Sequence, residues 1–239
     1  MAGAADRIIV AIDRMDLGAA HEDVTRLKSL AGGIKLGLEF FVANGPQGVR
    51  AVAGPVPLFL DLKLHDIPNT VAGGVRAACL LSPRFLTIHA AGGEAMMRAA
   101  ADAAKAAGPA RPLLLGITVL TSLDDTDLDA VGQRGPVADQ AKRLAALAQK
   151  SGLDGVVCSA HEVAALRALC GPGFRLVVPG IRPSWAATQD QKRVVTPAEA
   201  IANGADHLVI GRPITQSPDP AAALRRIADE AEGTGAGAR

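Results

Sequence analysis

Short apolar runs alternate with longer amphipathic stretches from one end of this 239-residue chain to the other, and that alternation restricts the fold more than any single motif does. Runs with strand character lie at residues 7–13, 34–37, 56–63, 85–90, 113–120, 155–159, 175–181 and 207–210. Helical stretches follow at about 19–30, 39–53 with a break near Gly45-Pro46, 68–81, 94–107, 136–150, 161–169, 197–203 and 220–230. Strand followed by helix, eight times over with no shift in composition, implies one domain on an all-parallel sheet. A closed eight-stranded barrel and an open doubly wound sheet both satisfy that pattern. The length suits the barrel, which typically needs about 250 residues. No Gly-x-Gly-x-x-Gly follows the first run, so the main signature of the dinucleotide-binding alternative is missing. The sequence therefore predicts an α/β fold, a single-domain (β/α)8 TIM barrel over residues 1–232, with a disordered tail rich in Gly and Ala at 233–239.

Composition narrows the function. Lys plus Arg number 25 against 24 Asp plus Glu, a balance that offers nucleic acid or an acidic membrane surface no basic partner face. A small-molecule substrate is the expectation. The three cysteines, Cys79, Cys158 and Cys170, have neither an even count nor metal-ligand spacing and read as reduced, mostly buried thiols of a cytoplasmic protein. No apolar run approaches the roughly 18 residues of a membrane span.

Within this frame one stretch is anomalous: Asp61-Leu62-Lys63-Leu64-His65-Asp66-Ile67-Pro68-Asn69-Thr70 brings two acids and a lysine to the end of a buried strand. Side chains alternate along a strand, so Asp61 and Lys63 share one face. Buried charge is costly unless its members neutralise one another or serve a site. Other strand ends carry charge or hydroxyls as well: Asp13, Lys35, His89, Thr118, Thr121, Arg182 and Arg212. Barrels build active sites from the loops at the C-terminal ends of their strands, where all of these fall. Taken singly, an Asp there is commonly a helix cap, a Thr a turn residue and an Arg a solvated loop charge. Their coincidence at one end of one barrel favours a site, with His89 its weakest member and read as a packing or loop histidine.

The last two loops indicate the ligand. Pro179-Gly180-Ile181-Arg182-Pro183 and Ile210-Gly211-Arg212-Pro213 set a glycine and an arginine past the seventh and eighth strands, where barrels commonly bind phosphate. Glycine lets backbone N–H groups approach an anion, and arginine offers a forked, permanent cation. The long connection 184–195, with Trp185, Gln189 and Gln191, reads as a lid over that phosphate. Trp185 could equally cover an apolar patch or a subunit contact.

Together these motifs resemble the orotidine 5′-monophosphate decarboxylase family. The similarity runs through Ala11-Ile12-Asp13, Ile34-Lys35-Leu36-Gly37, the whole of 61–70, Leu120-Thr121-Ser122, Pro179 to Pro183 and Ile210 to Pro213. The resemblance implies cofactor-free and metal-free decarboxylation of orotidine 5′-monophosphate to uridine 5′-monophosphate in de novo pyrimidine biosynthesis. It makes Lys63 the proton donor to C6 of the pyrimidine, within a charge array completed by Lys35, Asp61 and Asp66. It implies a homodimer with shared active sites, in which Asp66 and Thr70 reach the partner's site and Ile67 of the same stretch is substrate-binding. Asp13 and Lys35 would hold ribose hydroxyls, Thr121 the base or its neighbouring backbone, and Arg182, Gln191, Gly211 and Arg212 the phosphate.

The chemistry agrees with the resemblance. Loss of CO2 from a ring carbon with no electron sink leaves a carbanion-like centre that needs a cation nearby. Flanking acids keep a lysine in its ammonium form, whereas an imine-forming lysine must be neutral to attack. Two alternatives stay open: a magnesium-dependent sugar-phosphate decarboxylase or synthase of the same superfamily, and a nucleotide-binding barrel without catalysis. A divalent cation wants several oxygen ligands, and Lys35 and Lys63 among the acids oppose it.

Overall fold

The structure, a computed structural model, describes residues 3–186 and 195–233. Eight strands close into a barrel in chain order: β1 (Ile8–Ile12), β2 (Gly33–Gly37), β3 (Leu58–Leu64), β4 (Phe85–His89), β5 (Leu113–Ile117), β6 (Gly155–Val157), β7 (Arg175–Pro179) and β8 (His207–Ile210). The last strand pairs in parallel with the first, through Ile8 opposite Leu208 and Val10 opposite Ile210. Every residue of β1 is buried, as is every residue of β8. Strands covered on both faces read as continuous apolar runs, which is why the period-two signal of a half-exposed sheet is absent here.

The helices are α1 (Leu17–Leu27), α2 (Leu38–Ala53), α3 (Pro68–Cys79), α4 (Gly93–Lys105), α5 (Asp125–Ala130), α6 (Val137–Lys150), α7 (Val163–Cys170), α8 (Pro197–Ala202), α9 (Arg212–Thr215) and α10 (Pro220–Ala231). Their starts follow local chemistry. Asp16 caps α1 by accepting from the Ala19 amide at 2.7 Å, and Asp219 caps α10 through Ala222 at 2.9 Å. Thr196 and Glu199 form a reciprocal capping box on α8. Proline occupies the first turn of α3, α8 and α10, where no intrahelical N–H is required. Inside α2 the backbone breaks at Gly45, φ 62°, just before Pro46, as the sequence predicts.

Two elements were not anticipated. The connection after β5 contains α5, nucleated by a capping box between Asp124 and Asp127, and Arg212 opens the short α9. The expected strands at 113–120, 155–159 and 175–181 end two or three residues early, because apolar character continues past the last paired residue.

The packing gathers into two compact parts, Met1–Asp61 with Val178–Arg239 and Leu62–Val177, taken over their described residues. In the first, α1 packs on α2, and α10 on α8 and α9. In the second, α3 packs on α4 and α6 on α7. At the N-terminal end of β5 in this second part, Arg111 grips Asp154 with two hydrogen bonds of 2.9 and 2.7 Å, while Asp154 also accepts from the Leu114 amide at 2.8 Å. The bidentate pair belongs to the end of the barrel associated with stability rather than chemistry.

Candidate active site

Strand register builds the first half of the site. Ala11 lies opposite Lys35, Ile12 opposite Leu36, and Gly37 opposite Asp61. Asp13 is the next residue beyond β1. Lys35 therefore sits two residues below the layer of Asp61 and extends towards it. Its Nζ lies 3.5 Å from Asp13 Oδ1 and 3.5 Å from Asp61 Oδ2. Burial is graded across this ladder: the side chains of Asp61 and Lys35 are 10% and 13% exposed, and that of Asp13 is 61% exposed. Gly37 makes the arrangement fit, since a Cβ there would stand 3.3 Å from Lys35 Nζ.

The phosphate loops belong to the same compact part. Arg182 is buried, and its amide donates to the Val195 carbonyl at 3.2 Å, closing the base of the connection between them. The Ser184 amide donates to Glu230 at 3.0 Å, and the Arg226 guanidinium lies 4.6 Å from the Trp185 ring centre, so α10 anchors the segment after Arg182. Arg212 is exposed at the start of α9, behind Gly211. A Cβ on Gly211 would meet the Ala11 side chain at 3.3 Å and Asp13 Oδ2 at 3.4 Å, so this position favours glycine by close approach. A cavity of about 310 Å³ opens among Arg182, Trp185, Ala186, Arg212, Gln216 and Ser217. Gln189 and Gln191, with the middle of the expected lid, lie outside the described residues, as does the expected tail beyond Gly233.

Lys63 lies two residues beyond Asp61 on β3, half-buried, with φ at +50°. A non-glycine residue in this region is a strained backbone of the kind that clusters at functional sites. Strict strand alternation therefore fails at the one residue where the chemistry is expected. Its amide donates to Thr87 Oγ1 at 2.9 Å. Past the strand, Asp66, Ile67 and Thr70 are exposed, and Asp66 Oδ1 accepts from the Ile67 amide at 2.6 Å, shaping the entry to α3. Thr121 is exposed in the turn after β5. Thr118, by contrast, is buried, and both its amide and its hydroxyl donate to the Val157 carbonyl at 3.2 and 3.1 Å, extending the pairing of β5 with β6 by one residue. His89 lies against His65 with ring centres 5.1 Å apart and ring planes tilted by 31°.

Among the described residues no group of three His, Cys, Asp or Glu side chains is placed to hold a metal ion. None of Cys79, Cys158 and Cys170 is in a disulfide, and burial pushes the Cys79 and Cys170 thiols upward, away from the reactive thiolate.

Two residues were not singled out from sequence. Thr87 announces itself only as a hydroxyl between Leu86 and Ile88 in an apolar strand. Glu162 is buried beyond β6, where its carboxylate accepts from the Ser159 amide at 2.9 Å. Burial pushes its carboxyl up to about 6 against that hydrogen bond. An acid whose folded value is raised contributes stability that is fully present below its unfolded value, near 4.5, and lost as pH rises through about 6. Glu162→Gln, which keeps an acceptor, should remove that dependence and stabilise the protein at pH 7 by up to about 2 kcal/mol. Urea unfolding of both proteins between pH 4.5 and 7 checks this; an unchanged pH slope contradicts it.

Comparison with known proteins agrees with the architecture. The "Orotidine 5′-phosphate decarboxylase / HUMPS family" matches residues 6–227. A protein of Rhodospirillum rubrum named orotidine 5′-phosphate decarboxylase is 58% identical over 232 residues, covering 95% of this chain and 94% of that protein. One of the same name from Moorella thermoacetica is 52% identical over 237 residues, 96% of this chain and 93% of that protein. The crystal structure of orotidine 5′-phosphate decarboxylase from Lactobacillus acidophilus superposes with a TM-score of 0.83 at 38% identity, covering 94% of this chain and 98% of that one. With its closed barrel, its charged second strand and this breadth of similarity, the chain belongs to the orotidine 5′-phosphate decarboxylase / HUMPS family.

Proposed function

We propose that this protein decarboxylates orotidine 5′-monophosphate to uridine 5′-monophosphate and CO2 in de novo pyrimidine biosynthesis, without cofactor or metal, and that Lys63 delivers the proton to C6. The observation that carries the proposal is the Asp13–Lys35–Asp61 ladder, continued along β3 by a lysine in a strained backbone. In the reaction the bond from C6 to the carboxylate breaks, its electron pair stays on C6, and a proton from Lys63 Nζ forms the new C6–H bond. The neutral amine then regains a proton from water. Fixed charges that need no reorganisation as the carbanion develops supply most of the stabilisation.

Asp13 and Lys35 take ribose hydroxyls, and Thr121 takes the base. Arg182, Gly211 and Arg212 take the phosphate, with Gln191 assigned to it by family resemblance. The two guanidinium groups on one open cavity support this end of the assignment.

Homodimerisation with shared sites is part of the same proposal. Asp66, Ile67 and Thr70 are exposed, Ile67 by 67%, and Met15, Leu38 and Val42 expose 61, 55 and 75% of their surfaces in the other compact part. Apolar side chains so open to water are the kind that a second copy covers. Cytoplasmic location is supported by three cysteines outside any disulfide, two of them buried.

The deciding experiment follows the loss of orotidine 5′-monophosphate absorbance with EDTA-treated protein. Sustained turnover is expected. Abolition by EDTA with rescue by magnesium would sink the metal-free reading, and binding of uridine 5′-monophosphate without turnover would identify a sensor.

A further inference from the structure

We infer that Thr87 is a positioning residue for proton delivery, holding the Lys63 backbone in the conformation from which its side chain acts. The inference rests on the assignment of Lys63 as the proton donor. Thr87 lies in the middle of β4 with no solvent exposure, between Leu86 and Ile88, both fully buried. A buried hydroxyl in such a setting needs hydrogen-bond partners, and Thr87 Oγ1 accepts from the Lys63 amide at 2.9 Å. At that residue φ is +50°, against the steric preference of every side chain with a Cβ. Such a conformation persists only where its surroundings over-determine it.

Threonine suits the task for two reasons. Its β-branched side chain is stiff at χ1, so the oxygen is presented in a fixed place. Its methyl group fills the apolar side of the strand, so the hydroxyl is the only polar part to be satisfied. Valine has nearly the same shape and no acceptor. Thr87→Val therefore withdraws one restraint from the Lys63 amide and lets φ relax towards extended values, swinging the ammonium group off its line of delivery. Misplacement of a reacting group by about 1 Å costs on the order of 100-fold in rate. Groups that bind ribose and phosphate lie elsewhere in the chain and are untouched.

The test compares Thr87→Val and Thr87→Ser with the wild type, measuring kcat, KM, the affinity for uridine 5′-monophosphate and the melting temperature. Expected is a fall in kcat of about 10-fold to 100-fold in Thr87→Val, with product affinity held within about 3-fold and kcat largely restored in Thr87→Ser. The inference is overturned if Thr87→Val keeps its kcat, if serine does as badly as valine, or if kcat, product affinity and melting temperature fall together. Lys63→Ala is measured alongside. Retained turnover there would remove Lys63 as the proton donor whatever the Thr87 variants do, so the two failures are distinguishable.

Discussion

Lys63→Ala is expected to abolish turnover of orotidine 5′-monophosphate while uridine 5′-monophosphate still binds. The amine is the only group on β3 beyond Asp61 that both carries positive charge and can surrender a proton. On the proposed assignment, its removal deletes the charge that stabilises the developing carbanion and the acid that quenches it, two losses on the reacting atom. Binding survives because Arg182, Arg212, Asp13 and Lys35 lie on other strands and loops. Loss of an interaction made only in the transition state lowers kcat and leaves ground-state affinity in place. A rate loss of at least 10⁴-fold, about 5 kcal/mol, is a reasonable floor for a residue with two roles. Turnover assays in parallel with calorimetric titration of uridine 5′-monophosphate check both halves. Near-normal turnover would remove Lys63 from the mechanism. Loss of nucleotide binding would mean that the substitution had damaged the fold or the ground state.

Mixed subunits provide the second large effect. If Asp66 serves the partner's site, Lys63→Ala and Asp66→Ala homodimers are both inactive, each for its own reason. A heterodimer of the two holds one site with neither change and one with both. Activity should therefore rise from background to about half the wild-type value per heterodimer when the proteins are denatured together and refolded, or co-expressed with different tags. The exposure of Asp66 favours this outcome, because a carboxylate open to solvent just past β3 is open to a second copy as well. Purified heterodimers with no recovery would confine Asp66 to its own subunit.

Much of this was legible from residues alone because the barrel is a repeated local pattern. Each apolar run had the length of a strand, and helix starts such as those at Asp16, Pro68, Thr196 and Asp219 carried a cap or a proline, so eight units could be counted without any long-range contact. Asp13, Lys35 and Asp61 were recognisable as a cluster because charge at the end of a buried strand has few structural reasons to exist. What could not be read were distances between strands. The contact of Lys35 with both acids depends on register, and register is a relation between segments that alternation within one segment does not encode. Thr87 was invisible for the same reason: a threonine in a strand is ordinary until its partner is known to be an amide in a left-handed conformation. The α5 helix escaped notice because Asp124, Asp125 and Asp127 read as part of a connection, although Asp124 and Asp127 form its capping box. Thr118 stands at a strand end like the site candidates, and its bonds to the Val157 carbonyl, which tie β5 to β6, likewise depend on register.

The opening left by Gly37 bears on how such chemistry is recognised in other chains. A methyl group on residue 37 would approach the ammonium group of Lys35 to 3.3 Å and push it by a few tenths of an ångström from its place between two carboxylates, each 3.5 Å away. In this chain the lysine of the second strand is therefore best read together with the residue two places on. The informative unit is the spaced pair, one position bearing a charge and the other bearing nothing.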